Sequence, residues 1–415
     1  MSTYTQETVV TVQPFTRQPE GEDIIIGVVE TGVFLAVPPV AVELLEYFAQ
    51  GRSVGEVSEL YQQKYGEALD VDDFLNLLEN KGIVKPVGKG SELKAASPAP
   101  RTVRRVRYHF GNFPQPLAQL IFSRPVIAGC FLTMTLAVAA LIWAPSLIAR
   151  PSDFVFREHR ALSWVIFTVI AYASILLHEM GHLVAARAVG VSSRMGISNR
   201  LWYLVAETDL TGLWSVPKEQ RYLPLLAGLL VDLVSSALLI LLLFARDHKW
   251  LELSIFTVRL IRAMVLSYWL RIIWQFFLFV RTDIYFVIVN FFNCRNLLKD
   301  TEGYLRSLAA RVIPWIRRVD QSGIPASERR VIRAYAVVWI IGRIMAFATL
   351  FSVTIPVAVS YIRDLAGAFR AGYSANHYNF VDSFVLSAVF LVPVLIGLML
   401  WIGGLIRERT PDGNF

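Results

Sequence analysis

His178-Glu179-Met180-Gly181-His182 carries the chemistry that is easiest to read in this chain. Two histidines four residues apart share one face of a helix. Both imidazoles can then reach a single ion, and the glutamate between them is placed to take a proton from a water held there. Zn2+ is the ion this donor pattern favours. The alternative is a pair of hydrogen-bonded or pore-facing histidines with no metal. The pentapeptide lies inside an apolar run, 161–190, where ionisable groups are costly and mark function. Gly181 leaves room for another backbone or a substrate to come close.

A hydrolytic metal site needs three protein ligands and an open position. Of the other histidines, His159, His248 and His377 fall by topology on the opposite side of the membrane, and His109 precedes the first span. Asp283, in Val280-Arg281-Thr282-Asp283-Ile284-Tyr285, is the best third ligand, because it follows the fourth span near the depth of His178. The competing role is an interfacial acid paired with Arg281.

The elements that must hold these groups are helices in a bilayer. Of 415 residues, 55% are hydrophobic, and six apolar stretches are long enough to span, at about 126–149, 162–189, 223–245, 254–280, 334–361 and 381–405. Segment 281–297 could instead re-enter the membrane or lie at its surface. Arginine and lysine crowd the 281–333 loop and the stretch before the first span (Arg101, Arg104, Arg105, Arg107), which places both termini in the cytoplasm. Cys130 and Cys294 are far apart, so a disulfide framework is excluded and a thiolate metal site is disfavoured. No signal peptide is visible, and insertion is expected to begin at the first span.

Ahead of the spans, 1–21 reads as a loose tail, 22–90 as a small folded domain and 91–116 as a Ser/Pro/Gly-rich basic linker. In the folded part, 23–29 and 32–37 pattern as a strand pair about Glu30-Thr31. Three helices follow, with Ser53 and Asp70 as caps for the second and third, and 83–87 returns as a strand. The expected fold is therefore a polytopic α-helical membrane protein, 117–415, with an N-terminal α+β winged-helix-like domain. Residues 22–87 hold twelve acids against four bases, which argues against nucleic acid as a partner.

These motifs resemble the site-2 protease family of intramembrane zinc metalloproteases. That family pairs H-E-x-x-H with an aspartate in an L-D-G-like motif two spans later; here the aspartate stands in Thr282-Asp283-Ile284-Tyr285. Its A-G-P-x-x-N pattern corresponds to Ala227-Gly228-Leu229-Leu230-Val231-Asp232, with Leu and Asp in place of Pro and Asn. Asp232 can hydrogen-bond a metal-bound histidine, or equally pair with Arg271 within the membrane. A closer resemblance, over 22 to about 300, is to bacterial peptide zinc metalloproteases with a PqqD-like front domain. It rests on Glu207 to Arg221 leading into Ala227-Gly228, and on Thr282 to Tyr285 followed by Cys294-Arg295-Asn296-Leu297.

The resemblance implies a bacterial cytoplasmic-membrane zinc endopeptidase. His178, His182 and Asp283 would hold Zn2+ and Glu179 would act as base. The PqqD-like domain would bind the leader of a ribosomally made, modified peptide by adding it as a strand to a sheet edge, in company with precursor-modifying enzymes. Two alternatives stand beside this: a non-proteolytic peptide-binding or export protein with a degenerate zinc site, and site-2-type cleavage of a single-span signalling protein.

Overall fold

A computed structural model describes residues 4–28, 32–67, 70–86, 107–109, 113–154, 160–200, 203–294, 296–373 and 377–407. The turn at Glu30-Thr31, His159, Arg101, Arg104, Arg105 and most of the 91–116 linker lie outside them.

The first 86 residues form a strand-and-helix domain. Its elements are β1 Val10–Val12, β2 Thr16–Glu20, β3 Asp23–Val28, β4 Val33–Val37, α1 Pro39–Ala49, α2 Val54–Tyr65, α3 Val71–Asn80 and β5 Val84–Pro86. Ser53 accepts from the Glu56 N–H, and the Glu56 carboxylate accepts from the Ser53 N–H at 2.8 Å, so α2 opens on a reciprocal cap. Asp70 accepts from Asp73 N at 3.2 Å and starts α3. Ile26, Leu45, Phe48, Leu75, Leu78 and Ile83 form the dry centre.

The loose tail expected over 1–21 is corrected. β1 pairs antiparallel with β5, β2 pairs with β3, and Tyr4 is buried. β3 is therefore the middle strand of a β2-β3-β4 sheet, and the open edges belong to β2 and β4. The signal was weak because β2 reads Thr-Arg-Gln-Pro-Glu, which lacks a hydrophobic alternation.

Beyond it come β6 Arg107–His109, α4 Gln115–Ile121, α5 Arg124–Trp143, α6 Arg160–Ala188, β7 Arg194–Arg200, β8 Tyr203–Asp209, α7 Lys218–Asp247, α8 Ile255–Trp274, α9 Asp283–Phe292, α10 Leu297–Ala309, α11 Ala326–Thr349, α12 Ile355–Ala371 and α13 His377–Arg407. Among the described residues, five helices are long and apolar enough to cross a membrane: Gln115–Trp143, Arg160–Ala188, Lys218–Asp247, Glu328–Ala371 and His377–Gly404. Their outer faces carry Leu132, Ile142, Ile344 and Met399 exposed, as lipid-facing helices do.

The fourth expected span coincides with α8, which is long enough at 20 residues but carries Arg259, Arg262 and Arg271 and so falls outside that apolar class. Segment 281–297 contains α9, whose 10 residues rise about 15 Å and cannot cross alone. Part of the expected 91–116 linker and the stretch between the second and third expected spans are structured. β6 pairs with β7, and β7 with β8, to make an antiparallel sheet between α6 and α7.

Glu20 at the end of β2 meets Arg221 of α7 at 2.7 Å, with Arg221 buried and Glu20 partly buried. Arg221 also donates to the Val216 carbonyl at 2.9 Å and lies over the Trp214 ring. The front domain is thus seated on the short 3-10 turn Thr211–Ser215 that follows β8.

Candidate metal centre

α6 and α7 run antiparallel side by side, and a ladder of four-residue steps brings their chemistry together. α6 supplies His178 and His182. α7 answers with Pro224, Gly228 and Asp232, each one turn from the next on the same face. The Pro224 carbonyl contacts His182 Nδ1 at 2.7 Å, and Asp232 Oδ2 contacts His178 Nδ1 at 2.9 Å. With both Nδ1 atoms donating to oxygen, both Nε2 lone pairs point into the same gap.

A Cβ built on Gly228 would stand 2.4 Å from His182 Nε2 and 2.5 Å from His178 Nε2, so only glycine lets the imidazoles settle there. Gly181 lets α7 approach from the other side: a Cβ on it would meet Val231 Cγ2 at 2.8 Å and the Ala227 carbonyl oxygen at 3.2 Å. The close neighbour is α7, through the Val231 side chain and the Ala227 backbone.

Asp283 closes the group. It is the first residue of α9, and Gln275 fixes that end: Asp283 N donates to Gln275 Oε1 at 3.0 Å, and Thr282 Oγ1 donates to the Gln275 carbonyl at 2.5 Å. Arg281, just upstream, adopts a left-handed backbone at φ 59°, which turns the chain back toward α6. Asp283 Oδ2 then lies 3.1 Å from His178 Nε2 and 3.2 Å from His182 Nε2, and the two Nε2 atoms are 3.2 Å apart. Three donors around a tetrahedral ion with bonds near 2.05 Å would be about 3.3 Å apart. The spacing, the donor types and the oriented imidazoles therefore fit a metal ion, and His178, His182 and Asp283 are the residues that could hold it.

Glu179 is buried beside this group, and its Oε2 accepts a 2.6 Å hydrogen bond from Thr208 of β8. Thr208 also donates to the Glu179 carbonyl at 3.1 Å. A cavity of about 810 Å3 joins His178, Glu179, His182 and Asp283 to β8 and to the 3-10 turn that carries the front domain. The centre is thus buried from lipid yet faces a space large enough for a peptide segment.

Asp232 occupies both positions the sequence left open. Besides His178, it takes a two-pronged contact from Arg271 of α8, Nε to Oδ2 at 2.7 Å and Nη2 to Oδ1 at 2.5 Å. Arg271 Nη1 reaches Ser174 Oγ, one turn before His178, at 3.0 Å. An unpaired carboxylate at this depth would be prohibitive, and Arg271 neutralises it while leaving one lone pair for the imidazole. Asp232→Asn should keep the shape but strand the guanidinium and weaken the hold on His178. A metal-affinity loss of about 10–100-fold is expected, read by competition with a chromophoric chelator.

The structure brings together every sequence-selected residue: the two histidines, Glu179, Asp283, Asp232, Gly181 and Arg271. His248 and His377 are exposed elsewhere, and Cys294 is buried, its thiol pushed up to about 11 by burial. Thr208, Gln275, Ser174 and the Pro224 carbonyl had no role in the sequence reading. A strand signal was available for Thr208 in Tyr203-Leu204-Val205-Ala206. No protein-family model, curated protein or solved structure matches this chain.

Proposed function

We propose that this protein is an intramembrane zinc metalloendopeptidase of the site-2 protease type. The observation that carries the reading is one buried group: two oriented imidazoles and a carboxylate converge on one point, with a second carboxylate beside them and a cavity in front. His178, His182 and Asp283 would hold Zn2+, which when bound polarises a carbonyl and makes water a nucleophile at neutral pH. Glu179 takes a proton from the attacking water and returns it to the departing amine. Thr208 holds the Glu179 carboxyl in one orientation. Asp232 and Pro224 fix the imidazole tautomers.

In this reading α8 joins the five apolar helices as a sixth span, its Arg271 masked by Asp232, and both termini lie in the cytoplasm of a bacterial inner membrane. The front domain, seated by Glu20 and Arg221 on the turn that borders the cavity, captures a leader-bearing peptide at an open sheet edge and passes it to the centre. The substrate class is a ribosomally made peptide matured alongside its modifying enzymes.

Purified wild type in detergent is expected to hold one zinc per chain and to cleave labelled precursor-like peptides, with activity lost on chelation and regained with zinc. Stoichiometric zinc with no cleavage across single-span and precursor-like peptides, by mass spectrometry, would sink the peptidase reading and favour a peptide-binding export protein.

Thr208 offers a finer check. Thr208→Val removes one hydrogen bond to a charged group and should lower kcat by roughly 10–100-fold with KM and zinc content little changed; Thr208→Ser should restore most of it. A fall confined to KM would assign Thr208 to substrate binding instead.

A further inference from the structure

We propose that the cleft between α10, the 310–325 turn and the start of α11 is a binding site for the phosphate headgroup of an anionic membrane lipid. Residues 311–333 hold six arginines and two acids, a net charge of +4 from six minus two. Three of those arginines, Arg311, Arg329 and Arg333, line one cavity of about 360 Å3 together with Tyr304 and Ser322, a volume within the range of small-molecule sites.

The cavity is built. Ser307 of α10 accepts from Val319 N at 3.0 Å and donates to the Val319 carbonyl at 3.2 Å, and Gln321 Nε2 donates to the Asp300 carbonyl at 2.7 Å. These bonds pin the turn along α10. Arg329 spends Nε and Nη2 on the carbonyls of Ile324 and Ser322, at 2.9 and 3.2 Å, which orients its guanidinium. Among the described residues, no acid lies within ion-pair distance of Arg311 or Arg333. The two acids of the stretch are engaged otherwise: Asp320 accepts from Ser322 N at 2.9 Å, and Glu328 is buried.

The occupant is set by what surrounds these cations. Arg329 and Arg333 stand one turn apart at the start of the apolar helix Glu328–Ala371, which is where headgroups lie if that helix enters a bilayer. On the same turn Val312 and Trp315 are 83% and 85% exposed. An exposed tryptophan and an apolar neighbour beside unpaired arginines suit the interface between headgroups and acyl chains, where a soluble phosphate would leave both in water. Arginine forks match two phosphate oxygens at once, and Tyr304 and Ser322 add neutral donors. The site does not depend on the peptidase reading.

Native mass spectrometry of the full chain in detergent tests it, titrating dioleoyl phosphatidylglycerol, dioleoyl phosphatidylcholine and sn-glycerol 3-phosphate in turn. Wild type is expected to retain phosphatidylglycerol in preference to phosphatidylcholine, with no competition from glycerol 3-phosphate at equal concentration. Arg311→Gln with Arg333→Gln should lower that affinity about 30-fold, and each single change about 5-fold, so the singles decide if the double variant does not fold. Arg317→Gln with Arg318→Gln removes the same charge from the 310–325 turn outside the cavity and should leave retention near wild type. Equal loss in both double variants would mean diffuse attraction with no site. Equal retention of phosphatidylcholine would mean ordinary annular lipid, and displacement by glycerol 3-phosphate would mean a soluble-phosphate site; each overturns the proposal.

Discussion

Glu179→Gln is expected to leave the protein folded and zinc-loaded while cutting peptide hydrolysis by about 10²–10⁴-fold. The substitution is nearly isosteric. Thr208 Oγ1, which now donates to Glu179 Oε2 at 2.6 Å, can donate equally to an amide oxygen, so the side chain should keep its place. The metal group should also persist, because His178, His182 and Asp283 make their contacts with one another, Asp232, Pro224 and Gln275 without using Glu179. The variant loses only basicity, since an amide cannot take the proton of the attacking water. Zinc analysis and single-turnover cleavage on one preparation would read the two properties separately. Cleavage at the wild-type rate by zinc-loaded Glu179→Gln would remove Glu179 as the base. Loss of zinc along with activity would show it to be part of the metal's support instead.

Different parts of the molecule were legible in the sequence to different degrees, for physical reasons. His178 and His182 announce themselves because helical periodicity alone puts them on one face, and Ser53 and Asp70 because capping is settled within four residues. Asp283 needed the relative depth of two helices, which hydropathy supplies. Asp232 could not be resolved in advance: an imidazole on α6 and a guanidinium on α8 both come within reach of one carboxylate, and only the packing of three helices shows that it serves both. Thr208 was hidden for another reason. β7 and β8 close as a local hairpin, with Arg200 opposite Tyr203, but β7 also pairs with β6, Arg194 opposite His109 at a separation of 85 residues, which no local pattern encodes. β2 escaped similarly, since its cross-strand partner in β3, and not its own composition, makes it a strand.

Gly228→Val should abolish metal binding more completely than any change outside the ligands themselves. A Cβ at this position would stand 2.4 and 2.5 Å from the two Nε2 atoms that face the metal position, well inside contact distance. Neither ring can yield freely. His182 is tied through Nδ1 to the Pro224 carbonyl, and His178 through Nδ1 to Asp232, which Arg271 holds from a third helix. Either α7 retreats from α6, or an imidazole leaves its hydrogen bond and turns its Nε2 away; both outcomes break up the donor triangle. Overpacking of this kind costs about 1–3 kcal/mol, which a polytopic helical protein can absorb, so the chain should still fold and insert. Gly181→Ala is the matched control, because its Cβ would press on Val231 and the Ala227 carbonyl without touching a donor atom. Zinc content should therefore collapse in Gly228→Val and fall only modestly in Gly181→Ala at similar thermal stability. Full zinc occupancy in folded Gly228→Val would mean that the histidines do not meet the ion through Nε2, and with it the tautomer argument built on Asp232 and Pro224 would fall.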